Sequence, residues 1–391
     1  MNFNISKRKA FNFIILLGVV SLLADMTYEG GRSIIGPYLE LLGASGTIVG
    51  IVAGFGELLG YALRSVFGYI SDRTKRYWLI TIIGYTVNLF AVPLLAFVGR
   101  WEIAIFLIIL ERVGKAIRTP SRDTLLSYAT KKFGYGRGFG LHEAMDQIGA
   151  ILGPLVVAIV LYFKNEYRSA FGILFISALL ALMVLIKAKY LYPKPINLEK
   201  SSFSLETKGL TKTFWIFLGG MALLAAGYVD FPLMAYHFKK VSLTSDNLIP
   251  TFYGIAMGID ALSALLLGHL FDRRGLFILC VVVFVSLFFS PLVFFGGSYL
   301  ALCGILLWGI GMGAQESIMR AAIADMVSIN KRASAYGVFG AFYGLFWFLG
   351  SAVMGRFYDI SIFSLVIFSV TAQLASIPFF IFAARRLKKE K

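Results

Sequence analysis

Long apolar runs separated by short polar loops recur from one end of the chain to the other. They cover residues 11–38, 47–70, 78–99, 103–126, 138–163 and 169–187, then 213–236, 248–270, 276–296, 299–324, 333–355 and 362–383. Each is close to the roughly 20 apolar residues that a helix needs to cross a bilayer. Lipid offers no partner to an open backbone N–H or C=O, so such runs close their hydrogen bonds internally as helices. The pattern predicts an all-α membrane protein with twelve transmembrane helices in two six-helix bundles. The only long polar stretch, 188–212, carries Lys194, Lys200 and Lys208 with Pro193 and Pro195. It reads as a cytoplasmic linker, too short to fold alone. The expected organisation is therefore an N-terminal bundle at 1–187, the linker at 188–212 and a C-terminal bundle at 213–391. Lys7, Arg8 and Lys9 precede a first run too long for a signal-peptide core, and no small-residue cleavage site follows. That run is expected to be a permanent helix.

A short phrase is written twice at the polar ends of these runs. Gly68-Tyr69-Ile70-Ser71-Asp72-Arg73 returns, 200 positions on, as Gly268-His269-Leu270-Phe271-Asp272-Arg273. The spacing points to two related halves. In a membrane protein such halves point to a transporter with its site between them.

Composition agrees with lipid as solvent. Hydrophobic residues make up 58% of the chain, charged residues only 15%, and the mean hydropathy is +0.79. A soluble domain carries about 25% charged residues. The net charge of +16 invites a nucleic-acid reading, but its distribution argues against one. With the N-terminus inside, most Lys and Arg fall in cytoplasmic segments, among them Arg73, Lys75, Arg76, Lys331, Arg332 and Arg385. Only Arg100, Lys164, Arg168, Lys239, Lys240 and Arg356 fall in the opposite loops. This asymmetry follows the positive-inside rule. It predicts a multi-pass protein of the cell membrane with both termini cytoplasmic and no nucleic-acid partner. Cys280 and Cys303 lie in separate apolar runs and form neither a disulfide framework nor a metal site. The glycine-rich run Gly134 to Gly140 lacks the Gly-Lys-Ser/Thr ending of a phosphate loop and reads as a tight turn entering the fifth helix. No nucleophile triad or metal-ligand cluster stands out. The expectation is no cofactor, no metal and no enzymatic activity.

Ionisable residues inside the spans are the sharpest chemical signal, because charge in a bilayer is costly without a role. The first span carries Asp25, Glu29 and Arg32. The second carries Glu57 and Arg64. The fourth carries Glu111, Arg112, Lys115, Arg118, Arg122 and Asp123, and the fifth His142, Glu143 and Asp146. In the second half, Asp230, Asp260, Glu316 and Arg320 lie in the seventh, eighth and tenth spans. The central portions of the third, sixth, ninth and twelfth spans carry none, as expected for helices on the outside of each bundle. The eleventh also lacks charge and breaks the period.

Arg112, Lys115, Arg118 and Arg122 fall on one face of a helix, within an arc of about 120°. Four cations on one face need anions. The candidates are Asp25 and Glu29, four apart on the first span, and Glu143 and Asp146 on the fifth. Glu316 and Arg320 have the spacing of an intrahelical pair. Asp25, Glu29 and Arg112 are the expected proton-coupling residues. Tyr28, Arg32, Glu57, Lys115, Asp146, Asp230, Gln315 and Glu316 are the expected cavity lining. Arg118 and Arg122 sit near the cytoplasmic end, where bracing or snorkelling suits them better than cargo contact. With Gly68, Asp72, Arg73, Gly268, Asp272 and Arg273 they make up the expected cytoplasmic gate.

At these residues the chain resembles the major facilitator superfamily over its whole length. Gly68, Asp72, Arg73 and Arg76 match that family's loop motif, with Lys75 where glycine is usual. The second copy keeps that glycine as Gly275 and follows it with Leu276 in place of a cation. Arg112 matches the fourth-helix arginine associated with proton coupling, with Ala116 where glycine is usual. Gly140, Gly149, Gly153 and Pro154 resemble the fifth-helix motif of antiporters, although Val157 and Ala158 stand where closing glycines are expected. The resemblance implies a major facilitator fold and a rocker-switch carrier. The function expected from it is proton-coupled secondary transport, with export of small amphipathic organic compounds. The alternative is uptake or exchange of an anionic metabolite on the fourth-helix cations, and a membrane receptor or enzyme ranks last. The expected partners are a small-molecule substrate, protons and the lipid bilayer, with the protein a monomer.

Overall fold

The computed structural model describes residues 7–133, 135–193, 210–328 and 331–390. All regular elements among them are helices. The first six spans become α1 (Lys7–Leu41), α2 (Gly46–Thr74), α3 (Tyr77–Leu94), α4 (Trp101–Phe133), α5 (Tyr135–Lys164) and α6 (Tyr167–Leu191). A single 3-10 turn, Leu95–Phe97, follows α3. Eleven stretches among the described residues are long and apolar enough to cross a membrane. The fourth span, α4, is the remaining long helix; its 33 residues carry the row of charges already noted.

The second half adds α7 (Lys212–Gly227), α8 (Phe231–Lys240), α9 (Leu248–Arg274), α10 (Phe277–Ser286), α11 (Phe289–Phe295), α12 (Ser298–Met326), α13 (Arg332–Ile360) and α14 (Ile362–Glu390). The apolar run 213–236 thus folds as two helices. The break follows from local chemistry. Pro232 has no N–H to give and sits at the start of α8, while the Asp230 carboxylate caps that helix by accepting from Phe231 N. The carbonyls freed at the break are satisfied from neighbouring helices. Gly227 O accepts from Ser369 Oγ at 2.7 Å and from Gln373 Nε2 at 3.3 Å. Val229 O accepts from Trp308 Nε1 at 2.9 Å. The run 276–296 is likewise divided, into α10 and α11. Most of the expected linker, residues 194–209, lies outside the described residues, as do residue 134 in the glycine-rich run and the side chain of Arg320.

Two compact units emerge. One comprises Met1–Ile34 and Leu59–Ser202, the other Ile35–Leu58 and Phe203–Lys391. The division passes through α1 and α2, so one end of each belongs with the C-terminal helices. In the first unit, Phe13, Leu17, Val20, Tyr85, Leu89, Leu125 and Ala181 share one apolar core. The second is more aromatic. Tyr228 packs against Phe289, Trp308 and Trp347, with ring centroids 5.0, 6.1 and 6.0 Å apart.

The repeated phrase has the same environment in both units. A Cβ on Gly68 would lie 3.7 Å from Pro120 of α4, and one on Gly268 would lie 3.8 Å from Ser317 of α12. The turn that follows is left-handed in both copies, with φ of 58° at Lys75 and 63° at Gly275. Glycine adopts this geometry freely and lysine does not.

Candidate functional site

Close backbone approach sets the site. A Cβ on Gly149 would fall 2.2 Å from Leu22 O, and one on Gly153 2.3 Å from Met26 O. Two glycines four apart on α5 therefore let it lie directly on α1. On the other side, Gly84 and Gly114 bring α3 and α4 together, with hypothetical Cβ atoms 2.5 Å from Arg118 N and 2.4 Å from Asn88 N. The charged faces of α1, α4 and α5 and the polar edge of α3 are thus drawn into one interior.

Tyr28 is one centre of this interior. Its hydroxyl accepts from Arg112 Nη1, and from Arg32 Nη1 at 3.2 Å. The Arg112 guanidinium lies 5.0 Å from the ring centroid and the Lys115 ammonium 3.6 Å. Both contacts use the electron-rich ring face. Arg112 also has Glu111 Oε2 at 3.5 Å from its Nε. Asn88 Nδ2 donates to Glu111 Oε1 at 2.6 Å, fixing that carboxylate against α3. Glu29 is buried on the same side of α1 and acts electrostatically on Lys115, as does Asp25.

A second centre lies along α4. Arg118 is only 1% exposed, stacks 4.3 Å over the Tyr85 ring, and has Asp25 Oδ1 3.6 Å from its Nη2. Arg122 donates to Asp123 Oδ1 at 2.8 and 2.9 Å and to Ser21 Oγ at 3.2 Å. Asp146 Oδ2 lies 3.9 Å from Arg122 Nη1 and 3.7 Å from His142 Nε2. Ser21 Oγ joins the group through His142 Nε2 at 3.1 Å and Tyr85 OH at 3.4 Å. Burial of opposite charges at these separations is favourable only when partners remain in place.

The structure brings Asp25, Tyr28, Glu29, Arg32, Arg112, Lys115, Arg118, Arg122 and Asp146 into this one interior. Asp25 pairs with Arg118, and Arg112 meets Glu111 and Tyr28. Glu143, expected as an anion for the α4 face, is exposed. Glu111, Asn88, Ser21 and Tyr85 are partners that spacing arguments on ionisable residues passed over. The signal was present for Asn88, a polar residue within the charge-free third span.

Of the remaining candidates, Glu57, Asp230, Gln315, Glu316, Asp272 and Arg273 lie in the second unit, and Asp72, Arg73, Gly140 and Pro154 in the first. Asp230 caps α8. Gln315 is buried, accepts from Tyr343 OH at 3.0 Å and donates to Gly311 O at 3.2 Å. Glu57 is half-buried and Glu316 exposed. Asp72 accepts from Tyr77 OH at 3.2 Å, a contact within its own turn, and Arg73 donates to Tyr69 OH at 3.3 Å. Asp272 and Arg273 are exposed. In the fifth-helix motif, Pro154 lies within α5 and Gly140 faces open space.

A helical membrane bundle with paired charges buried inside its spans is the build of a membrane transporter. The chain belongs to the Major Facilitator Superfamily, whose family model matches residues 17–351. It is an integral membrane transporter with the major facilitator fold, and not an enzyme. It is 40% identical over 375 residues to an uncharacterized protein of Mycobacterium bovis, covering 94% of this chain and 92% of that one. It is 27% identical over 370 residues to an uncharacterized MFS-type transporter of Methanocaldococcus jannaschii, covering 92% and 91%. The crystal structure of the nucleoside transporter NupG superposes with a TM-score of 0.74 at 17% identity, over 97% of this chain and 98% of that one. At that identity the likeness shows the fold alone.

Proposed function

We propose that the protein is a proton-coupled exporter of small amphipathic organic compounds, working by alternating access in the cell membrane with both termini cytoplasmic. The observation that carries this reading is the buried pairing of Asp25 with Arg118, beside Asp146 between Arg122 and His142. A proton on Asp25 cancels its charge and frees the buried Arg118 guanidinium, while one on Asp146 weakens the field on Arg122, which keeps Asp123. The freed guanidinium must then find a new partner, which biases the bundle toward a second arrangement. Asp25 and Asp146 are the proton acceptors in this scheme, with Glu29 beside them. Arg112 orients Tyr28, whose hydroxyl and ring face the cationic groups.

The export direction rests on the fifth-helix pattern, in which Gly149 and Gly153 seat α5 against α1. The anion-uptake alternative is weakened by the distribution of charge: Arg112, Arg118 and Arg122 each have a carboxylate within 4 Å. Proteoliposomes with an imposed pH gradient test the reading. Candidate compounds should move only with the gradient, and Asp25→Asn should uncouple them from it. Equal movement with and without the gradient removes proton coupling. Uptake of anions that is lost on Arg112→Ala and Lys115→Ala favours the alternative.

A further inference from the structure

At the opposite end of α2 from the repeated phrase, Gly46, Gly50 and Gly54 lie four apart on one helix face. That face meets the backbone of α13 within the second unit. A Cβ on Gly50 would sit 2.3 Å from Ser351 O and 2.9 Å from Gly355 Cα, and one on Gly54 2.8 Å from Phe348 Cα. Conversely, a Cβ on Gly355 would sit 2.6 Å from Gly46 O. Two helices touch here backbone to backbone, as small residues permit in lipid.

Asp359 stands at the head of this contact. Its carboxylate accepts from Gly46 N at 2.9 Å, Thr47 N at 2.8 Å and Thr47 Oγ1 at 2.6 Å. Amides in the first turn of a helix have no intrahelical acceptor and form the positive end of its dipole. An ordinary cap is supplied by the residue just before the helix, but Asp359 is 313 positions away from Gly46. The same end is held by Tyr236 OH donating to Ala44 O at 3.0 Å. The neighbouring Tyr358 hydroxyl lies 3.0 Å from His237 Nδ1.

We propose that Asp359 is a conformational latch, holding the first turn of α2 on α13 in this arrangement and releasing it in the alternate one. The contact has the properties of a releasable tie. The carboxylate is exposed, so water can replace the amides as they part. The helix faces are flat at Gly50 and Gly54, with the Phe55–Phe348 ring pair, centroids 5.7 Å apart, also crossing the contact. The tie joins segments from opposite halves of the sequence on one side of the membrane, which alternating access requires to separate. The latch rests on that transport cycle but not on proton coupling.

The test is the labelling rate of a cysteine reporter, Ser351→Cys, buried beneath Gly50 and Gly54, in the full-length chain carrying Cys280→Ser and Cys303→Ser. A membrane-impermeant maleimide is applied to protein in lipid nanodiscs without substrate or gradient. Asp359→Asn should raise the labelling rate about 5- to 10-fold, the effect of losing a strong helix cap. Asp359→Glu should label close to the parent, and Thr47→Val should show a smaller rise of about 2-fold. Gly50→Leu, which forces the same faces apart, should also raise labelling. If Gly50→Leu accelerates labelling and Asp359→Asn, still monodisperse, leaves it unchanged, the glycine face alone holds the contact and the latch is wrong. Because no gradient is used, failure of proton coupling would not alter this readout.

Discussion

Removing the Asp25 carboxylate should expose how much the buried charge network depends on complete pairing. Arg118 is 1% exposed, and among the described residues its Nε and Nη1 have no hydrogen-bond partner. Its support is the Tyr85 ring and the Asp25 oxygen at 3.6 Å. At that distance the Coulomb attraction is about 4–5 kcal/mol for an effective dielectric constant of about 20. Lys115 and Arg122 lie on the same face of α4, so loss of Asp25 also leaves like charges facing one another. Asp25→Ala should therefore destabilise the protein by about 3–5 kcal/mol, the cost of stranding one partner of a buried pair. Asp25→Asn, which keeps an acceptor, should cost about 1–2 kcal/mol. Asp25→Ala combined with Arg118→Met should recover most of the loss, because no buried charge is left unanswered. Equilibrium unfolding by SDS titration in mixed micelles measures all three and closes a double-mutant cycle. A coupling energy below about 0.5 kcal/mol would refute the pairing as described.

The turn after the repeated phrase yields a prediction of opposite sign. Lys75→Gly should stabilise the protein by about 0.5–1 kcal/mol, because a lysine at φ 58° is strained and its tie to Tyr77 OH is a long 3.4 Å contact. Gly275→Ala, at φ 63°, should destabilise by about 1 kcal/mol in the same unfolding assay. The glycines of α5 and α2 should also part company. Gly149→Ala places a methyl 2.2 Å from a backbone oxygen and should cost about 2 kcal/mol or more, seen as a lower Tm and poor monodispersity. Gly68→Ala meets Pro120 at an ordinary 3.7 Å and should change Tm little.

The helical spans were legible because lipid leaves the backbone no alternative, and hydropathy alone marks where each crossing lies. What hydropathy does not encode is interruption. The run 213–236 is continuously apolar, yet Asp230 and Pro232 divide it into α7 and α8, and only the partners supplied by Ser369, Gln373 and Trp308 make that break affordable. The α4 cation stripe was legible from helical periodicity. Its partners were less so, because pairing across helices depends on rotation and depth. Asp25 reaches Arg118 where spacing alone also allowed Arg112, and Glu111 is held by Asn88 from a span that looked featureless. Glu143 has the right spacing on α5 and points away. The left-handed turn was visible as a glycine in one copy of the phrase, and the matching φ at Lys75 shows what that glycine is for.

Proton coupling through Asp25 is the central claim, and gradient-driven flux tests it most directly. Purified protein in proteoliposomes is offered a panel of fluorescent amphipathic compounds, ethidium among them, under an imposed pH gradient. The account predicts movement of at least one compound that a protonophore abolishes, and loss of that gradient dependence in Asp25→Asn with the folded state retained. Movement that ignores the gradient, or an Asp25→Asn variant coupled as tightly as the parent, would contradict it.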